Sequence, residues 1–145
     1  MFPTIPYDPI EVEASNAPEG FEPITSHSQF GARSGPVFEK FEDDGSWIRG
    51  FRVLEKHCNP LNILHGGMTA TFADILVGTA TFRTGVGGCV TVSLNTNYVG
   101  AAKLGEWVTG YAVVVRKTKS LVFLSFDIVS GERAVASGTA IFKII

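Results

Sequence analysis

His65-Gly66-Gly67-Met68-Thr69-Ala70-Thr71-Phe72-Ala73-Asp74-Ile75-Leu76-Val77-Gly78-Thr79-Ala80-Thr81-Phe82-Arg83 is the stretch whose reading sets the fold. The 17 residues from Gly66 to Phe82 carry one charge, the carboxylate of Asp74. No Pro or Asn interrupts them, so they predict a helix over 66–83 that stops near Gly85. Such a helix is too apolar for a surface position, and too short and too rich in Thr and Gly for a membrane span. It must be wrapped by the rest of the chain. A lone carboxylate on it is costly to bury without a partner or a task.

Helical spacing divides the stretch into faces. Met68, Phe72, Ile75, Leu76, Thr79 and Phe82 make a broad face of large side chains, and Ala70, Ala73, Val77 and Ala80 a flatter apolar one. Asp74 falls in the strip between them, with Gly67, Thr71, Gly78 and Thr81 nearby. Small neighbours let a second molecule approach the acid closely.

Outward from the helix the pattern is one of strands. Val37–Phe41 and Ser46–Leu54 flank Glu42-Asp43-Asp44-Gly45, which is hairpin chemistry. After the helix, four segments rich in Val, Ile, Thr and aromatics follow, at about 89–99, 106–116, 121–130 and 133–144. Their short connections predict antiparallel pairing in order. One long helix against about six strands is an α+β design, a curved antiparallel sheet wrapped around a central helix.

The chain of 145 residues is long enough to bury one real core. A net charge of -2 argues against nucleic acid as a partner. Cys58 and Cys89 give neither a disulfide framework nor a metal spacing, and His27, His57 and His65 form no ligand pair, so no metal is expected. The first 23 residues hold five of the seven prolines and five acids, with no Lys or Arg before Arg33. They lack the basic start of a secretory signal and the arginines of a presequence, which leaves a cytoplasmic protein as the expectation. Residues 1–20 read as an extended, mobile arm, with a short helix over 21–32; residues 21–145 form the single domain.

Two further segments bear on chemistry. Along the first strand after the helix, Val90, Val92, Leu94 and Tyr98 alternate with Thr91, Ser93, Asn95 and Asn97. That polar row, Asn97 included, faces solvent or lines a polar cleft or subunit seam. Ahead of the helix, Asn59 precedes His65-Gly66-Gly67 by six residues. Gly66 and Gly67 present backbone N–H groups at a helix N-terminus, where unpaired amides and the dipole attract negative charge. They suit an oxyanion hole for an acyl carbonyl, and the Asn59 amide adds a donor. Gly-Gly also serves as a tight turn, and His65 as an N-terminal cap.

Asn59, His65-Gly66-Gly67 and Asp74, together with Thr91-Val92-Ser93-Leu94-Asn95-Thr96-Asn97-Tyr98 and Ala101-Ala102-Lys103-Leu104-Gly105-Glu106, resemble the hotdog-fold acyl-CoA thioesterases. The closer likeness is to the phenylacetate-pathway (PaaI-like) type, and it covers roughly residues 35–145. The resemblance implies that Asn59 and the amide of Gly66 bind the thioester carbonyl. It also implies that Asp74 drives attack as base or nucleophile and that Thr91 assists, with His65 opening the motif. Asn62 stands where many members have Gly, and Thr91 where close relatives have Ser. No cofactor is implied, since coenzyme A is part of the substrate.

Distance adds a constraint. Gly66 and Asp74 are eight residues apart, about 12 Å of helix at 1.5 Å per residue. Groups acting on one carbonyl sit about 3 Å from it, so one helix cannot supply both. Two antiparallel copies can, which predicts a homodimer with shared sites, paired further into a tetramer. For the phosphates of coenzyme A, Lys103, Arg116, Lys117 and Lys119 are the candidate cations, with Gly67 and Asn97 as further substrate-binding residues. The expected activity is hydrolysis of acyl-CoA thioesters. A hotdog dehydratase would rest on His65 and fits the spacing poorly. A protein that binds or senses acyl-CoA without turnover is the alternative.

Overall fold

In the computed structural model, which describes residues 2–145, the elements run α1 (Pro9–Ser15), β1 (Glu22–Pro23), α2 (Gln29–Ser34), β2 (Phe38–Phe41), β3 (Trp47–Arg52), a 3-10 turn (Glu55–His57), α3 (Gly66–Phe82), β4 (Cys89–Tyr98), β5 (Trp107–Lys117), β6 (Leu121–Ser130) and β7 (Arg133–Ile144). One antiparallel sheet has the order β1-β2-β3-β5-β6-β7-β4. The α+β design of one long helix packed on an antiparallel sheet is the expected one. The seventh strand, β1, has only two residues and leaves no periodic trace.

Strand pairing departs from the simple order. β4 pairs with β7 along its whole length, and β5 pairs with β3 and β6. The β4–β5 connection is no hairpin, because its residues are bonded to the loop ahead of α3. Leu64 N–H donates to Ala102 O at 2.7 Å, and Ile63 bridges Lys103. β4 is therefore left at a sheet edge with its outer ladder unpaired among the described residues.

The core lies between α3 and the sheet. Phe72, Ala73, Leu76 and Val77 are fully buried against Phe51, Val108, Leu124, Phe126 and Ile128, each large side chain contributing about 1.5–3 kcal/mol. The Phe51 and Phe72 rings meet edge to face, 4.8 Å between centroids. Close approach needs Gly110 on β5: a Cβ there would lie 2.6 Å from Leu76 Cδ1 and 3.1 Å from Phe72 Cε1.

The faces of α3 differ from the expected division in two places. Phe82 is 53% exposed, whereas Thr81, grouped above with the neighbours of Asp74, is fully buried with its hydroxyl donating to Val77 O at 2.9 Å. Gly67, Ala70, Thr71, Asp74 and Gly78 remain half-buried or exposed. The sheet wraps the helix on the side where Ala73 and Ala80 let it come close, and leaves this small-residue strip open.

Of the residues expected to be an extended arm, those from 2 to 20 are extended only in part. Asp8 caps α1, its carboxylate accepting from Ile10 N–H at 2.9 Å, with Pro9 preset for the first turn. Arg52 donates to Ser15 O and Asn16 O, each at 2.8 Å, and Lys56 pairs with Glu11 at 2.6 Å. The short helix expected over 21–32 lies at Gln29–Ser34 instead, started by the Ser28 cap. Among the described residues no helix is long and apolar enough to cross a membrane.

Candidate active site

β4 lies along α3, and its register decides which side chains meet the helix. Thr91 pairs with Phe142 and Ser93 with Ile141, so Val92 is a bulge. The bulge reverses the alternation. Cys89 and Thr91 ahead of it, and Leu94, Thr96 and Tyr98 beyond it, lie on the helix side with Phe142, Ala140 and Ala136. Ser93, Asn95 and Asn97 lie on the outer side. The expected grouping of Thr91 with Asn95 and Asn97 is thus corrected, because a bulge shifts the phase of every residue after it.

Asp74 is half-buried on the open strip of α3. Thr91 Oγ1 donates to its Oδ1 at 2.8 Å, which fixes the carboxylate and satisfies one oxygen. Thr in place of Ser keeps the hydroxyl that this contact requires. Burial, and then the charge of Asp74, push the Cys89 thiol up from its ordinary value.

At the N-terminus of α3 the sequence specifies a tight loop. The Asn59 side-chain oxygen accepts from Leu61 N–H at 2.9 Å and Ile63 N–H at 3.4 Å, leaving its NH2 group as the available donor. Asn62 takes φ +58°, a conformation Asn tolerates where Gly is usual. His65 is the N-cap, its Nδ1 accepting from Gly67 N–H at 2.8 Å. That corrects the paired-glycine expectation: the Gly67 amide is occupied by the His65 ring. The Gly66 N–H makes no protein hydrogen bond among the described residues. Tyr98, whose role the sequence reading missed, donates from its hydroxyl to Gly66 O at 2.9 Å.

The structure brings together Asp74 with Thr91, and His65 with Gly67, while Asn59 sits in the loop that leads to them, where its neighbour Cys58 bridges Leu64. The two groups stay apart on one helix, about 12 Å along its axis. The expected cations are dispersed. Lys103 sits by Ile63 near the start of α3, whereas Lys117 Nζ donates to Thr84 O, 3.2 Å away, beyond its end. Arg116 pairs with Phe123, and Lys119 is exposed in the turn to β6. Asn97, on the outer side of β4, does not meet Asp74 within the chain.

A family model described as the thioesterase superfamily matches residues 61–137, which carry Gly66, Asp74 and Thr91. A protein of Pseudomonas aeruginosa named as an esterase, PA0474, is 34% identical over 131 residues, covering 89% of this chain and 98% of that one. Acyl-coenzyme A thioesterase 13 of Homo sapiens is 39% identical over 85 residues, covering 58% of this chain and 61% of that protein. Among solved structures, the BH2602 protein from Bacillus halodurans with CoA superposes with a TM-score of 0.72 at 25% identity, covering 81% of this chain and 79% of that one. The chain belongs to the thioesterase superfamily and is a hotdog-fold thioesterase.

Proposed function

We propose that this protein hydrolyses acyl-CoA thioesters at two equivalent sites, each shared between two copies of the chain. In each site the Gly66 N–H and the Asn59 NH2 of one protomer hold the carbonyl oxygen. Asp74 of the other protomer, oriented by Thr91, drives the attack of water or attacks the carbonyl itself. Stabilisation grows as negative charge develops on the oxygen, because both donors are fixed in advance.

The observation that carries this reading is the spacing on α3. An unpaired Gly66 amide and a Thr91-held Asp74 share the open face of one helix, too far apart for one carbonyl. An antiparallel second copy, crossing near Ala70, sets each beside its counterpart. The small residues of the strip permit that approach, and the unpaired edge of β4, with Val92 58% exposed, supplies a ladder for pairing with itself. Support for coenzyme A as the leaving group comes from the relatives, one named an acyl-coenzyme A thioesterase and one solved with CoA.

Thiol release from a panel of acyl-CoAs tests the reading. Wild-type protein turns over at least one ester class, and Asp74→Asn lowers kcat by about 10²-fold or more with fold and oligomeric state retained. Near-normal turnover in the folded variant would exclude Asp74 from the chemistry.

A further inference from the structure

A groove of about 390 Å³ opens at the first turn of α3, where His65 and Gly67, the chain neighbours of Gly66, line it. His65, Gly67, Met68 and Thr71 line one side of it, and Phe30 and Arg33 of α2 the other. Phe30 and Arg33 are three residues apart and so share one face of their helix. Phe30 is 68% exposed, so its ring is open to a ligand in the groove.

α2 is held in place by donors from the 3-10 turn. Lys56 Nζ donates to Arg33 O at 2.5 Å, and His57 Nε2 donates to Ser34 O at 2.6 Å. His57 Nδ1 accepts from Leu54 N–H at 3.1 Å, so Nε2 carries the proton. The His57 backbone oxygen accepts from His65 N–H at 2.8 Å, which ties the same anchor to the loop that presents Gly66. α2 and the Gly66 turn thus share one support.

The charges facing the groove are unequal. Lys56 is balanced by Glu11 at 2.6 Å. The Arg33 guanidinium makes no hydrogen bond or ion pair among the described residues, and Arg33 lines the groove together with His65, Gly67 and Met68 at the start of α3. A free cation, an open aromatic ring and Met68 make a wall for a ligand with an apolar segment and an anionic group.

We infer that α2 is the substrate-binding wall of this active site, with Arg33 contacting an anionic group of the thioester and Phe30 packing on the apolar segment beside it. The inference rests on the proposed hydrolysis. The anion is either a phosphate of coenzyme A or a carboxylate at the far end of the acyl group. Arg33 and Phe30 are binding residues here, remote from the bonds that break.

Steady-state kinetics of Arg33→Gln, Arg33→Lys and Phe30→Ala test it with three substrates. These are a neutral acyl-CoA, the same acyl group on N-acetylcysteamine, and an ω-carboxyacyl N-acetylcysteamine thioester. A phosphate contact raises KM for the CoA ester about 10-fold in Arg33→Gln, with kcat within twofold and the neutral truncated ester unaffected. A carboxylate contact raises KM for the ω-carboxyacyl ester alone. Arg33→Lys recovers part of the loss in either case, and Phe30→Ala raises KM for the same ester. Unchanged KM for all three esters in Arg33→Gln overturns the inference while leaving the hydrolytic reading intact. If wild-type protein turns over none of the esters, that reading fails instead. Calorimetric titration with CoA and with a free dicarboxylic acid then decides the inference: a tenfold weaker Kd in Arg33→Gln for one of them upholds it, and equal Kd values for both overturn it.

Discussion

Asn59 holds a loop with one side-chain atom and leaves another for the proposed chemistry. Its oxygen closes the turn over Leu61 and Ile63, and its NH2 group is the donor proposed for the carbonyl oxygen. Asn59→Ala would remove both functions at once. Asn59→Asp keeps the acceptor that holds the loop and removes the donor. We expect Asn59→Asp to lower kcat about 10-fold to 10³-fold, with KM and the thermal midpoint little changed, the scale of losing one preorganised oxyanion donor. A change in KM alone would assign Asn59 to ground-state binding. At this scale the sequence spoke clearly where residue type and spacing carry the message, as with Asp74 on an apolar helix. It was silent on which Gly amide stays open, because that depends on the His65 ring turning its Nδ1 onto Gly67.

Among the elements, α3 and β4–β7 were legible to within one residue at most boundaries, since period and composition agree over long runs. The β4 bulge was not. Val92 looks like any strand valine, and the extra residue is visible only in the pairing with β7. Pairing order was hidden for a similar reason: the bonds from residues 62–64 to 102–104 that redirect the chain join segments about forty residues apart. Gly110 gives the element scale its test. Gly110→Ala places a Cβ against Leu76, Phe72 and the Asp127 carbonyl oxygen, the last 3.0 Å away. Overpacking of this kind costs about 1–3 kcal/mol. Denaturant unfolding should show that loss, and a value within about 0.5 kcal/mol of wild type would mean that the helix–sheet distance is not set there.

For the whole molecule, one chain holds every proposed catalytic group and yet does not assemble a site. The open strip of α3, the free edge of β4 and the distance from Gly66 to Asp74 are the features behind the proposed second copy in antiparallel orientation. Helix geometry alone led to the same expectation from the sequence, while the wall proposed for α2 lay beyond its reach. The proposed sharing of sites makes subunit mixing the decisive measurement. Asp74→Asn and Asn59→Asp proteins, each with no more than about a tenth of the wild-type activity, are combined in equal amounts under conditions of subunit exchange. A hybrid dimer then carries one site with both defects and one with neither. Statistical exchange makes half the dimers hybrids, so activity should rise to about one quarter of the wild-type value. Hybrid dimers verified by mass spectrometry but without recovered activity would contradict the shared site.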